Sequence, residues 1–256
     1  MRNMIFDFSR WERGDHLLDR MTVKQLNRAY LSYPGIQIYA LIFAICIALA
    51  VRANGDMLSA GIASLLTILV YPFIWYILHR FVLHSRLLYR FRFTSAFWKR
   101  IHFDHHDNPD DLRVLFGALR TTLPTIVLFG GPIGYAVGGM TAVFVSLAAG
   151  VAVTAFYEYV HCIQHLRFVP KNVHLQKLKR LHLLHHFHNE NGNYGITNFV
   201  VDHLLGTFYA SAAVMDRSAT VRNLGYDLAT ARRYPWVQEL TEAKNRDRSK
   251  NVGASG

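Results

Sequence analysis

The sequence predicts an all-α integral membrane protein, with about four transmembrane helices beneath a cytoplasmic helical cap. Three observations predict it. Residues 33–51, 57–79 and 121–157 contain no Asp, Glu, Lys or Arg. Ten of the 14 histidines fall into four tight clusters. And 27 of the 28 Lys and Arg residues lie on what becomes one side of a membrane once the apolar runs are threaded through it.

A helix needs about 20 apolar residues to cross a hydrocarbon core of roughly 30 Å. The runs 33–51 and 57–79 therefore provide one crossing each. The third run has 37 residues. As one helix it would reach about 55 Å at about 1.5 Å per residue, too long for a single crossing. Gly130-Gly131-Pro132 and Gly138-Gly139 can each interrupt a helix, and a tight turn near Gly138-Gly139 yields crossings at about 33–52, 57–80, 121–137 and 140–162. A single soluble hydrophobic domain does not accommodate charge-free runs of this length.

Three regions follow: an N-terminal segment 1–32, a membrane domain with its cap at 33–209, and a tail 210–256. Residues 4–30 alternate Phe6, Phe8, Trp11, Leu17, Leu18 and Leu26 with basic side chains, as expected of an interfacial helix. Charges every few residues exclude a secretory signal. The polar end of the tail is expected to be disordered. Cys46 lies within an expected span and Cys162 beside a cluster histidine, so no disulfide is expected.

Short loops rich in Lys and Arg stay cytoplasmic, which places both termini, residues 80–120 and everything after 163 on that side. The net charge of +11 is then topology plus attraction to anionic headgroups. Nucleic-acid binding is excluded for want of a recognition motif. Four crossings also bring all four histidine clusters to one face. Three crossings would separate the last two clusters from the first two.

The clusters are His79 and His84; His102, His105 and His106; His161 and His165; and His182, His185 and His186. Residues i, i+3 and i+4 share one helical face, so each H-x2-H-H is expected to present three imidazoles together and H-x3-H two. His79 and His84, five apart, are expected to span a helix end. Imidazole suits iron, zinc, copper and nickel, and a tetrahedral zinc takes only four ligands. Ten imidazoles therefore suit two metals side by side, a dinuclear metal enzyme. The remaining histidines, His16, His174, His188 and His203, lack such partners and are expected to be structural or, for His188 above all, to support the ligands. Ligating histidines usually donate their other nitrogen to a carboxylate or carbonyl, and Glu158, Asp202 and Asp104 are the acidic residues best placed for this. Tyr71, Pro72, Trp75 and Tyr76, one or two turns below His79, line a substrate channel or form an interfacial aromatic belt.

The stretches LHRFVLHS (78–85), WKRIHFDHHDNPDD (98–111), YEYVHCIQH (157–165) and 181–209, closing on Asn193-Tyr194-Gly195-Ile196-Thr197, Asp202 and Gly206-Thr207, resemble the fatty acid hydroxylase superfamily. This is the membrane di-iron group of sterol desaturases and lipid hydroxylases, and the chain is somewhat nearer its lipid and sphingolipid 2-hydroxylase branch. The resemblance covers about Trp75 to Tyr209. It implies that the ten histidines bind two iron ions, replaceable by zinc in purified protein, and that O2 is a co-substrate. The implied activity is hydroxylation of an unactivated C–H bond in a lipid acyl chain or sterol-like substrate, with a metal-borne oxidant and no separate protein acid or base. Neither end of the chain has room for a fused b-type haem domain. A separate electron donor (a b-type cytochrome, ferredoxin or reductase) is therefore expected.

The alternative within the same site is a desaturase. A metal transporter would place ligands near the bilayer midplane. A zinc hydrolase would use fewer ligands and usually H-E-x-x-H, which is absent. The lipid, the attacked carbon and the oligomeric state are not readable from the sequence.

Overall fold

The computed structural model describes Phe8, Trp11 and residues 16–242. Among these residues helix is the regular secondary structure, joined by loops and one isolated β-bridge between Leu17 and Asp111. Helix α1 (Val23–Ser32) starts at a capping box: the Thr22 hydroxyl accepts from Gln25 N–H and the Gln25 side chain accepts from Thr22 N–H. The described part of the segment expected at the membrane surface turns inward. Trp11, Leu18 and Leu26 are buried in a cluster with Leu112 and Phe116, so this apolar surface is covered by protein. The rest of 1–15 and the tail end from 243, where disorder is expected, lie outside the described residues.

Helix α2 (Pro34–Ala53) begins with Pro34 in its first turn and stops at Asn54 in the left-handed conformation. Asp56 caps helix α3 (Met57–Ile77) by accepting from the N–H groups of Leu58 and Ser59. Helix α4 (Arg92–Trp98) follows. The long apolar run becomes α5 (Leu119–His165), which is broken at Gly138 and Gly139; Gly139 has φ +67°, a conformation open to glycine at little cost. The limbs 119–137 and 140–165 fold back on each other. The Ser146 hydroxyl donates to Gly130 O at 2.7 Å. A Cβ on Gly134 would stand 2.4 Å from Val143 Cα, so the limbs meet at backbone contact, as small residues allow between membrane helices. Helix α6 (Val173–Phe187) lies across the end of α5.

Among the described residues three helices are long and apolar enough to cross a membrane, the third containing this broken α5, and the chain is built as a membrane protein. Large side chains such as Leu41, Phe43, Leu65, Leu69 and Leu128 stand exposed on the outside of the bundle, where hydrocarbon rather than water is the compatible solvent. Inside, α2 and α3 are tied to α5 by hydroxyls: Tyr39 to Thr122 at 2.5 Å, Thr67 to Ser146 at 2.6 Å and Tyr71 to Thr154 at 2.6 Å. The α2–α3 turn meets the α5 turn, since Gly55 N–H donates to Thr141 Oγ1 at 2.9 Å. Both hairpin tips therefore share one end of the bundle and the histidines gather at the other.

Candidate metal centre and its cavity

All ten clustered histidines converge, and they sort into two groups of five. His79, His84, His102, His106 and His185 form one; His105, His161, His165, His182 and His186 form the other. Within each group the candidate ligand atoms lie within 4.8 Å of one another. The groups abut, with the His106 and His186 rings 4.2 Å apart between centroids. Each H-x2-H-H places its three imidazoles in the shared centre but divides them between the two groups. The i, i+4 pairs His102/His106 and His182/His186 each stay together, while the middle members His105 and His185 cross to the other group. Three side chains of one helical turn fan out over too wide an arc to meet at a point, so two adjacent foci form.

The five-residue spacing of His79 and His84 also has a local cause. After α3 the chain runs through a π-helical turn, Leu78–Leu83, in which His84 N–H donates to His79 O at 3.0 Å. An i→i+5 turn places residues five apart on one face, and the two Nε2 atoms lie 3.2 Å from each other. A second π-helical stretch, Lys99–Phe103, carries His102. Such turns are rare and concentrate at functional sites.

The donor set fits metal. His105 Nδ1, His106 Nε2, His165 Nδ1, His182 Nδ1, His185 Nε2 and both nitrogens of His186 are buried with no hydrogen-bond partner among the described residues. Buried polar atoms are seldom left unpaired. Three rings are oriented from behind: His79, His106 and His185 direct Nδ1 to the carbonyls of Tyr194 (2.6 Å), Val221 (3.0 Å) and Gly192 (2.8 Å). A carbonyl can only accept, so Nδ1 carries the proton and Nε2 offers its lone pair, as ligating histidines do. Burial, with repulsion between neighbouring imidazoles, holds His102, His105, His182, His185 and His186 well below the ordinary histidine range. Burial also pushes His106 down to about 3, against the Val221 carbonyl that favours its proton. The rings are therefore neutral, the form that binds metal.

The acidic residues expected behind the ligands bond elsewhere. Asp202 accepts from Tyr194 N–H, Gly195 N–H and the Thr207 hydroxyl, and so it shapes the loop whose Tyr194 carbonyl holds His79. Glu158 accepts from Gly117 N–H and the Tyr39 hydroxyl. Asp104 pairs with Lys99, and His188 donates to Met215 O. Of the other histidines, His16 stacks on Trp11, His203 stacks on Phe208 and His174 is exposed.

A cavity of about 260 Å³ opens onto both groups, reaching His79, His102, His105, His161 and His186. Its apolar wall includes Trp75, Leu78, Val82, Leu83, Ile101 and Leu115; Thr121, Thr122, Thr125 and Glu158 make it polar on another side. Trp75 is thus the channel residue the cavity reaches. Tyr71 is buried against Thr154, and Tyr76 is buried against Thr207; their hydroxyls tie α3 to α5 and to the loop at Thr207. The orienting carbonyls of Gly192, Tyr194 and Val221 had no signal in side-chain patterns, although Tyr194 lies in the Asn-Tyr-Gly stretch. The Val221 contact also makes the described tail part of the site.

Comparison with known proteins agrees with this geometry. The chain is 30% identical over 156 residues to the dihydroceramide fatty acyl 2-hydroxylase FAH1 of Arabidopsis thaliana, covering 57% of this chain and 60% of FAH1. It is 25% identical over 182 residues to the dihydroceramide fatty acyl 2-hydroxylase FAH2 of the same plant, covering 68% of this chain and 73% of FAH2. The match thus spans only about 60% of the length of FAH1. The fold is similar to that of full-length Scs7p, of which only the hydroxylase domain is visible, with a TM-score of 0.62, 19% identity, and coverage of 82% of this chain and 85% of that one. Residues 64–207 match the fatty acid hydroxylase family, and the chain belongs to that family.

Proposed function

We propose that this protein is an O2-dependent di-iron lipid hydroxylase that inserts oxygen into an acyl chain next to its amide, in a ceramide-like lipid. The observation that carries this reading is the pair of imidazole quintets opening onto one largely apolar cavity. Bound at the two groups, iron would supply the reduction of O2 and the oxidising power to break an unactivated C–H bond. The chain's own residues do the rest. The ten imidazoles set the two foci, and the Gly192, Tyr194 and Val221 carbonyls hold three of them in the ligating tautomer. Trp75, Leu78, Val82 and Leu115 keep water from the reacting methylene. Electrons come from a separate donor protein. The names of FAH1 and FAH2 favour the acyl 2-position.

Four membrane crossings complete the reading. The broken α5 and the shared end of the two hairpin tips support them, and the Lys and Arg distribution supports a cytoplasmic cap with both termini on that side. Labelling of single cysteines introduced at Asn54 and at Asp107 from either side of sealed vesicles tests the topology: the two should react from opposite sides. For activity, protein loaded with iron under anaerobic conditions in lipid nanodiscs is given an N-acyl sphingoid lipid, a reductant and O2. A product heavier by one oxygen at the acyl 2-position is expected. A product lighter by two hydrogens would make the protein a desaturase, and release of free fatty acid would make it a hydrolase.

A further inference from the structure

One cluster of rings beside the metal centre has no part in the reading above. Trp98, the last residue of α4, is fully buried, and its indole N–H donates to Leu83 O at 2.9 Å. Leu83 directly precedes His84. The Trp98 ring also lies 5.0 Å from that of Phe103, which directly follows His102. Trp98 therefore packs on the chain next to two histidines of the first group. From it, rings lead outward. Tyr89 stands 5.1 Å from Trp98 and Tyr226 stands 6.2 Å from it; Tyr234 is 6.0 Å from Tyr89, and Trp236 is 5.5 Å from Tyr234. The Trp236 N–H donates to Tyr89 O at 2.6 Å. Tyr89 and Tyr226 are buried, whereas Tyr234 and Trp236 are half-buried and reach the surface. A second set of rings begins at the other group. Tyr157 lies 6.3 Å from His161, Trp75 stacks on Tyr157 at 4.9 Å, and Tyr71 lies 6.1 Å from Trp75. Among the described residues that set ends at Tyr71, buried against Thr154.

We propose that Trp98, Tyr89, Tyr226, Tyr234 and Trp236 form an electron relay that drains surplus oxidising equivalents from the metal centre to the protein surface. This rests on the hydroxylase reading above. An oxidant able to break an unactivated C–H bond attacks the protein itself when the cavity holds no lipid, and Trp75 stands in the cavity wall. Tryptophan and tyrosine give up a single electron more readily than imidazole or an alkyl side chain. In the relay, Trp98 yields one electron to the centre. Tyr89 or Tyr226 refills Trp98, Tyr234 and Trp236 refill them in turn, and the vacancy arrives at the surface. A tyrosine releases its phenolic proton on losing an electron and regains it when refilled, so the relay moves no net proton. At Trp236 a thiol in the surrounding water supplies the electron. Two thiols give two electrons and two protons, which turn one oxygen atom at the oxidising level into water and leave one disulfide. The set formed by Tyr157, Trp75 and Tyr71 has no such outlet, so a vacancy there ends as covalent oxidation of a ring.

The route is tested in reverse, without O2 or lipid. A ruthenium photo-oxidant is attached at Gln238→Cys, an exposed position two residues after Trp236; the native Cys46 and Cys162 are buried. In full-length protein loaded with ferrous iron in nanodiscs, a light flash with an external electron acceptor draws an electron from Trp236. Oxidised iron is the expected result, read by Mössbauer spectroscopy. In zinc-loaded protein the flash should instead leave a tyrosyl or tryptophanyl radical, read by electron paramagnetic resonance. Trp98→Phe is expected to abolish the oxidation of iron. That change also removes the hydrogen bond to Leu83 beside His84, so Tyr89→Phe with Tyr226→Phe serves as the second variant. It keeps both rings and the metal content and should lose the iron signal too. Iron that stays reduced in the wild type, or is oxidised equally in the double variant, would overturn the relay. With iron, thiol and O2 but no lipid, both variants should accumulate oxidised Trp75 and Tyr157 in their peptide masses while the wild type is spared. In protein that does hydroxylate lipid, equal damage in wild type and variants would overturn the proposal as well. If the flash oxidises iron through the relay but no acyl lipid is hydroxylated, the hydroxylase reading fails while the route stands.

Discussion

The two imidazole groups have the same number of histidines and are built by opposite means. The group of His105, His161, His165, His182 and His186 is fully buried and stands mainly on regular α-helix, with His161/His165 on α5 and His182/His186 on α6. The Nδ1 atoms of His105, His165, His182 and His186 have no partner among the described residues. Helix packing and contacts between the rings themselves, His105 with His161 at 3.1 Å and His165 with His182 at 2.9 Å, aim them. The group of His79, His84, His102, His106 and His185 uses two π-helical stretches and three backbone carbonyls to aim its rings, and its His84 is half-buried. The half-buried His84 borders a polar pocket with Arg80, Arg86 and Glu190. One focus is thus set by the rigid bundle, and the other depends on loops from the later part of the chain and lies nearer water.

The sharpest way to break this comparison is at the point where the groups exchange ligands. His105 comes from the short helical turn Asp104–Asp107 yet belongs to the bundle-built group, so His105→Ala should collapse the shared centre. Turnover should fall by more than about 100-fold and iron per protein should drop, while the protein remains in the membrane; both are read by product assay and elemental analysis. Full iron content with retained turnover would remove His105 from the ligand set.

Asp202→Ala should act on the loop-built group alone. It strips three donors, Tyr194 N–H, Gly195 N–H and the Thr207 hydroxyl, of their acceptor. A loss of about 3 kcal/mol is expected, together with a roughly 10–100-fold weaker hold on one of the two metals. Metal titration should show one weakened site beside one unchanged site. Equal weakening of both would mean that the groups are not independently supported.

Acid should separate the groups without any substitution. Imidazoles held below their ordinary 6.5, such as His106 at about 3, stay neutral in the folded protein where the unfolded chain takes up protons. Stability of the metal-free protein should therefore be full above about pH 6.5 and fall as pH drops toward about 3. With metal bound, protons compete for the same nitrogens. The half-buried His84 should let the loop-built group release its ion first, giving two steps in bound metal against pH. A single step for both ions would contradict the difference in exposure.

The smallest effect is expected on the bundle side. Gly139→Ala meets no neighbouring atom within 4 Å but must keep φ +67° with ψ −153°, a region essentially restricted to glycine, so it should cost about 1–3 kcal/mol from backbone strain alone. Thermal unfolding in detergent should shift accordingly, with both metals still bound.

How far the sequence reached differs between these same regions. Charge-free runs at 33–51 and 57–79 are legible because a bilayer accepts little else, and the observed helices start and stop within a few residues of them. Gly138-Gly139 is legible as a break because backbone there must turn without side-chain hindrance. The His161/His165 pair is legible because an α-helix repeats every 3.6 residues. The His79/His84 pair was legible only as a helix end, since nothing in its residues announces an i→i+5 turn. The crossing-over of His105 and His185 is not legible either, because it depends on where the 99–107 segment, α5 and α6 stand relative to one another. Glu158 and Asp202 were singled out as acids near ligands. The partners of Glu158, Gly117 and Tyr39, lie 41 and 119 residues away and only folding brings them near, whereas those of Asp202 lie within eight residues but are met only in the turn the chain makes there.

By itself, then, the sequence determined which segments seek lipid and which ten side chains can bind metal, because hydropathy and donor chemistry belong to residues and short-range periods. Only the tertiary structure decided how those ten divide into two fives, which carbonyls orient them and which cavity they face. Those outcomes depend on distances between segments up to 115 residues apart, and such distances are set by the packing of whole helices.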